Sequence, residues 1–350
     1  MKKGKTEVAP KKEAVVYLGC NADASHPEGL HVLSVDCASG GIARIESHSI
    51  LHAVYLAMSP DGRCLYSCSD TGISSFAIDG ERLNPIDAVS TAAGPCHVSV
   101  LPDGRRVVWA EYFGGTCGSA EISDGHFGRV VIHRHSGRGV NLPRQSGPHC
   151  HQAVPTPDSK GYCVVDLGLD QIVEYPSGRT FHTSPAGAGP RHLLFHPNGR
   201  LAFLVYEMGN LVSSLFWSPE AGFTLIDTQP TLFGESVSFA AKNNLAAAIR
   251  FTPDMKRVVV SNRGENSLVA YDFDGATGKL CFKSRSMLEG DFPRDFAFVG
   301  ESLVLAAFER SGEVHSLRYD STSGKFETLA KIGGFFRPLA LLPKNEVRMP

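Results

Sequence analysis

A histidine, a glutamate and several arginines of this chain fall where short apolar runs begin or end, and together they could move a proton and hold an anion. His151, Glu207, Arg191 and Arg263 form the centre of this set, with Asp166, Arg294 and Arg337 around them. Histidine exchanges protons near neutrality, and a glutamate crowded against a channel wall can serve as a base or, once protonated, as an acid. Arginine stays charged and offers a planar fork that fits a carboxylate, a phosphate or an oxyanion. The competing use of the same side chains is to pair with one another and stitch adjacent strands together.

Other constellations carry less. His149 with His151, and His133 with His135, are two residues apart, so each pair points to one face of a strand as metal ligands would. Third and fourth ligands at useful spacing are not evident. Hydrogen-bonded strand histidines are therefore the expectation, with no metal and no cofactor. Cys96 and Cys150 stand near the same strand ends, yet no neighbouring group orients a base for them, so they read as structural thiols. Gly114-Gly115 and Gly333-Gly334 are turns, because no helix follows to make a phosphate loop.

The elements that must position these residues come from a repeat. Seven times an apolar run leads into a turn of Pro-Asp-Gly type and a second apolar run: at Pro60, Pro102, Pro157, Pro197, Pro253, Gly300 and Pro343. The spacing, roughly 40 to 56 residues, is that of a unit of about four strands. Such a unit cannot bury its own faces, so the copies must pack against one another. The seventh copy ends the chain without partner strands, and the runs at residues 15–18, 31–35 and 42–45 form a trio lacking an innermost member. Pairing the run 339–342 with that trio closes a ring and removes the open edge. The expected fold is all-β, a single seven-bladed β-propeller over residues 14–344, with a basic tail at 1–13 and a short tail at 345–350. Two β-sandwich domains would leave the constant period unexplained.

A closed ring also predicts where chemistry gathers. An innermost strand starts at one face of the disc, turns at the Pro-Asp-Gly hairpin on the other, and the next strand returns. First-strand starts (Val54, Cys96, His151, Arg191, Ala247, Arg294, Arg337) and second-strand ends (Asn21, Asp70, Glu111, Asp166, Glu207, Arg263, Glu309) therefore share one rim. That mouth is densely charged. The opposite rim, made of ordinary turns, offers much less.

Composition sets limits. The balance of 34 basic and 36 acidic residues gives no field for capturing nucleic acid, and no run approaches the ~20 apolar residues that span a bilayer. Residues 1–12 carry five lysines with no apolar segment behind them, which reads as a solvated tail rather than a secretion signal. Nine cysteines without a Cys-x-x-Cys pair are expected to be reduced and mostly buried, in a cytoplasmic protein that is monomeric as closed rings are by default.

The segments Gly147-Pro148-His149-Cys150-His151, Asp166-Leu167-Gly168-Leu169-Asp170, Gly189-Pro190-Arg191-His192, Tyr206-Glu207 and Ser261-Asn262-Arg263-Gly264 resemble the seven-bladed lactonase family, which contains propeller-type 6-phosphogluconolactonases and a carboxymuconate cycloisomerase. The resemblance runs from about Val15 to Pro343. It implies a metal-independent site of His149 or His151 with Arg191, Glu207 and Arg263, and Arg250 in addition. Ala110-Glu111-Tyr112 and Tyr206-Glu207 depart from the family's usual Ala-Asn-Tyr and Asn-Glu, which bears on the substrate more than the fold. The function expected from this resemblance is hydrolysis of a small anionic sugar-acid lactone, foremost 6-phosphogluconolactone in the pentose phosphate route. The alternatives are a lactonising cycloisomerase and a non-catalytic interaction platform, though the two tryptophans lack the Trp-Asp signature of such platforms.

Overall fold

The repeated turns fold as their residues dictate. Asp61, Asp103, Asp158 and Asp254 each accept a hydrogen bond from the backbone N–H two residues on, as Asn198 does in the fifth blade. Gly62, Gly104 and Gly199 take φ values of 72°, 69° and 68°, a region that favours glycine, so Asp-Gly or Asn-Gly reverses the chain here at low cost.

The computed structural model describes residues 13–233 and 243–344. The tails expected at 1–12 and 345–350 lie outside the described residues, and Glu13 already belongs to a strand. Seven four-stranded antiparallel sheets form the blades. Blade 1 is built from both ends of the chain, with Pro338–Pro343 innermost beside Glu13–Cys20, Glu28–Asp36 and Ile42–Ser49. The register pairs Val16 with Pro343 and Leu18 with Leu341, which is the expected closure. The other innermost strands are Leu56–Met58, His97–Val100, Cys150–Pro155, Pro190–Phe195, Leu245–Phe251 and Pro293–Phe298, for blades 2 to 7. Each touches the innermost strand of the next blade, and Pro338–Pro343 contacts both Pro293–Phe298 and Leu56–Met58.

Burial follows position in the blade. Second strands are covered on both faces by neighbouring blades, so Leu201–Tyr206 and Leu303–Phe308 are apolar and buried along their whole length. The outermost strand His126–Arg134 is mostly exposed. Each of the seven interfaces between neighbouring blades holds its own apolar cluster. The seam between blades 7 and 1, for example, packs Leu303, Leu305 and Ala307 against Val16, Leu18 and Leu33. Burying one such leucine contributes about 1.5–3 kcal/mol, so the closing seam is as well built as the rest.

Candidate active site

Several of the innermost strands begin with β-bulges. In blade 4 Cys150 pairs with Asp166 and Gln152 with Val165, which leaves His151 as the extra residue. Blade 5 repeats this at Arg191 and blade 7 at Arg294, while blade 6 leaves Ala247 and Ala248 unpaired. A bulge bends its strand and re-aims one side chain. Here it does so at three of the residues expected at the charged mouth.

Glu207 follows the second strand of blade 5 and is the centre of the cluster. Arg191 Nε and Arg263 Nη2 donate to its Oε2 at 3.2 and 2.8 Å, and Arg144 Nη2 donates to Oε1 at 2.5 Å. Burial alone would raise its pKa, but Arg263, Arg191 and His151 together with the Arg144 hydrogen bond hold it well below the ordinary glutamate value. Glu207 is thus an ionised carboxylate, and a role as proton donor to a leaving group, one of the two expected for it, is opposed by three guanidinium groups. Arg263 is fixed further by the carbonyls of Leu245 and Ala246, and Arg191 by that of Ala247. Burial, Arg263 and Arg294 push Arg191 down to about 9.

Two more arginines complete the mouth. Arg294 and Arg337 both pair with Glu309, whose carboxyl they hold below its usual value against the upward pull of burial. The side chains of Arg144, Arg294 and Arg337 retain 39%, 27% and 50% of their exposure, whereas those of Arg191 and Arg263 retain 3% each. The inner pair therefore sets the charge, and the outer three can reach a ligand. Five guanidinium groups face two carboxylates, an arrangement short of negative charge.

Beneath them lies a group of aromatic rings. His151 is 5.3 Å from His192, His192 is 5.6 Å from His97, and Tyr55 is 3.9 Å from His97. Burial first, and then Arg191, lowers His151 and His192 well below the histidine reference, so both rings are neutral where a free histidine would be half protonated. Nδ1 of His151 is buried without a partner in the protein and can bond a water or a substrate group. His149 stacks on Tyr112 at 4.2 Å, and its Nδ1 lies 2.9 Å from the Tyr112 carbonyl. Tyr112 in turn accepts a 3.3 Å bond from Arg144, tying His149 to the mouth through two residues.

The structure corrects three expectations. Asp166 is not available to a substrate: it is fully buried, its Oδ1 accepts from the N–H groups of His149, Gly168 and Leu169, and its Oδ2 accepts from His135. Arg250 does not join Glu207 but pairs with Asp295 at 2.8 Å, farther along the channel. The opposite rim is also richer than its turns imply. A cavity of about 1070 Å³ opens there, lined by Arg250, Asp295, His97, Gln152 and the turn prolines. The sequence reading missed Arg144 altogether, because it sits in the long connection between blades 3 and 4, outside the repeat that located the other residues.

A family model described as Lactonase, 7-bladed beta-propeller, matches residues 15–334. A 6-phosphogluconolactonase of Bacillus subtilis (strain 168) is 29% identical over 325 residues, covering 86% of this chain and 90% of that protein. The solved structure of the Pseudomonas aeruginosa periplasmic gluconolactonase superposes with a TM-score of 0.85 at 28% identity, covering 97% of this chain and 100% of that one. A putative 6-phosphogluconolactonase of Bacteroides uniformis ATCC 8492 gives a TM-score of 0.83 at 25% identity, covering 95% and 100%. With all seven blades in place and the match running through nearly all of them, the chain belongs to the seven-bladed β-propeller lactonase family.

Proposed function

We propose that this protein hydrolyses a sugar-acid lactone bearing an anionic tail, with 6-phosphogluconolactone as the substrate of choice. The observation that carries the reading is the convergence of Arg144, Arg191 and Arg263 on Glu207, with Arg294 and Arg337 beside them on the same mouth. The relatives named for phosphogluconolactone and gluconolactone hydrolysis support it.

Hydrolysis adds water across the ring ester. The water oxygen bonds to the carbonyl carbon, the ring C–O bond breaks, and the departing alkoxide takes a proton to become a hydroxyl group. In this reading neutral His151 accepts the proton of the attacking water. The imidazolium so formed is disfavoured by Arg191 and Arg294 and therefore passes its proton on to the alkoxide, while the Glu207 carboxylate eases the brief positive charge. Arg191 faces the oxyanion of the tetrahedral intermediate, and the exposed forks of Arg144, Arg294 and Arg337 hold the phosphate. Acid release from freshly prepared 6-phosphogluconolactone, gluconolactone and a carboxymuconolactone tests the proposal. Fastest turnover per substrate concentration is expected for the phosphorylated lactone. Equal rates with the unphosphorylated sugar would remove the phosphate role, and turnover of none would remove the enzyme.

A further inference from the structure

Behind the segment that carries His149 and His151, at the seam between blades 3 and 4, two thiols and an imidazole converge. Cys117 comes from the strand Thr116–Ser123 of blade 3, His135 lies just past that blade's outermost strand, and Cys150 opens the innermost strand of blade 4. One ligand atom from each lies within 4.8 Å of the other two, and all three residues are buried. Asp166 flanks the group, with its Oδ2 2.7 Å from His135 Nδ1 and 3.7 Å from Cys150 Sγ. We propose that Cys117, His135 and Cys150, with Asp166 beside them as the partner that orients His135, bind a thiophilic divalent cation of the zinc class that fastens blade 3 to blade 4. This departs from the expectation of a chain without a metal.

The donor set supports the assignment. Two sulfurs and an imidazole select zinc-like ions over magnesium or calcium, and these three ligands leave a fourth position for a water or another oxygen donor. The surrounding hydrogen bonds already aim the donors as ligands. Tyr175 Oη lies 3.0 Å from His135 Nε2, so that nitrogen can carry the ring proton and leave Nδ1 to the metal. Asp166 Oδ1 is held by three backbone N–H groups, which fixes Oδ2 toward His135 and Cys150. Binding would exchange the His135–Asp166 hydrogen bond for a metal–nitrogen bond, with the proton of the neutral ring held on Nε2, and would release the protons of both thiols. The alternative fate of the sulfurs, a Cys117–Cys150 disulfide, needs an external oxidant to reach two fully buried thiols.

The test uses the intact chain. Zinc is added to chelator-treated protein, excess is removed, and retained metal is measured by elemental analysis; a parallel sample is loaded with cobalt(II). About one ion per chain is expected, with a thiolate-to-cobalt charge-transfer band in the near ultraviolet and the intense visible bands of a tetrahedral ion. Cys150→Ser should abolish the charge-transfer band or weaken retention, Asp166→Asn should weaken zinc affinity by about 10–100-fold, and exposed Cys281→Ser should change neither. If Cys150→Ser does not fold, the spectrum and stoichiometry of the unsubstituted chain decide. Background metal content with no cobalt–thiolate band overturns the proposal, as does an intact mass lower by two hydrogens that marks a disulfide in the freshly purified chain.

Discussion

Glu207 cannot be read apart from its arginines. Because three guanidinium groups hold its carboxylate, Glu207→Gln removes the counter-charge as well as a catalytic group, and kcat/KM should fall ~10²-fold or more in a turnover assay of the folded variant. His151→Ala should cost a similar factor through the lost base; full activity in either variant would remove that residue from the mechanism. Arg144 is half exposed and lies on a connection rather than a strand, so Arg144→Ala should raise KM about tenfold or more while leaving the melting temperature nearly unchanged. The pH dependence follows from the direction of each shift. His151 is depressed well below 6.5 and must be neutral to act, so kcat/KM should show no histidine limb near pH 6.5.

Strand geometry explains why residue type together with spacing pointed to most of the residues gathered at this mouth. His151, Arg191 and Arg294 were legible because each falls six positions before a turn, and the bulge that turns them toward the axis is invisible in the sequence but coincides with the same positions. Arg250 and Asp166 carried the right chemistry and the wrong direction. Arg250 lies near the far end of its strand, and Asp166 turns inward on its own loop, facts set by packing rather than spacing. Arg144 and the Cys117–His135–Cys150 group were out of reach, since their partners come from different blades at unrelated distances along the chain. The turn after Asp166 gives an element-level test. A Cβ on Gly168 would lie 2.0 Å from the Gly147 carbonyl oxygen and 2.8 Å from the His149 backbone nitrogen. Gly168→Ala must displace the segment that carries His149 and His151, and should destabilise the fold by about 1–3 kcal/mol, read as a lowered denaturant midpoint, with a rise in KM. An unchanged midpoint would show that this close approach does not hold the segment.

At the scale of the whole molecule, the constant period and the incomplete seventh copy sufficed to predict a closed ring, because a four-stranded unit with two apolar faces has no other way to bury both. The closing seam is as apolar as the others, so Leu305→Ala, which removes a fully buried side chain there, should cost about 2–5 kcal/mol in equilibrium unfolding. A loss well under 1 kcal/mol would mean that blades 7 and 1 are not locked together. The ring also has two unlike ends: a charged mouth around Glu207, and a wide cavity of about 1070 Å³ at the turn side. Assigning the chemistry to the charged end is the central claim, and a crystal structure with 6-phosphogluconate bound tests it most directly. The account predicts the phosphate among Arg144, Arg294 and Arg337 with the carboxylate end toward Arg191 and His151. Product seated instead in the cavity beside Arg250 and Asp295, with the arginine mouth unengaged, would contradict it.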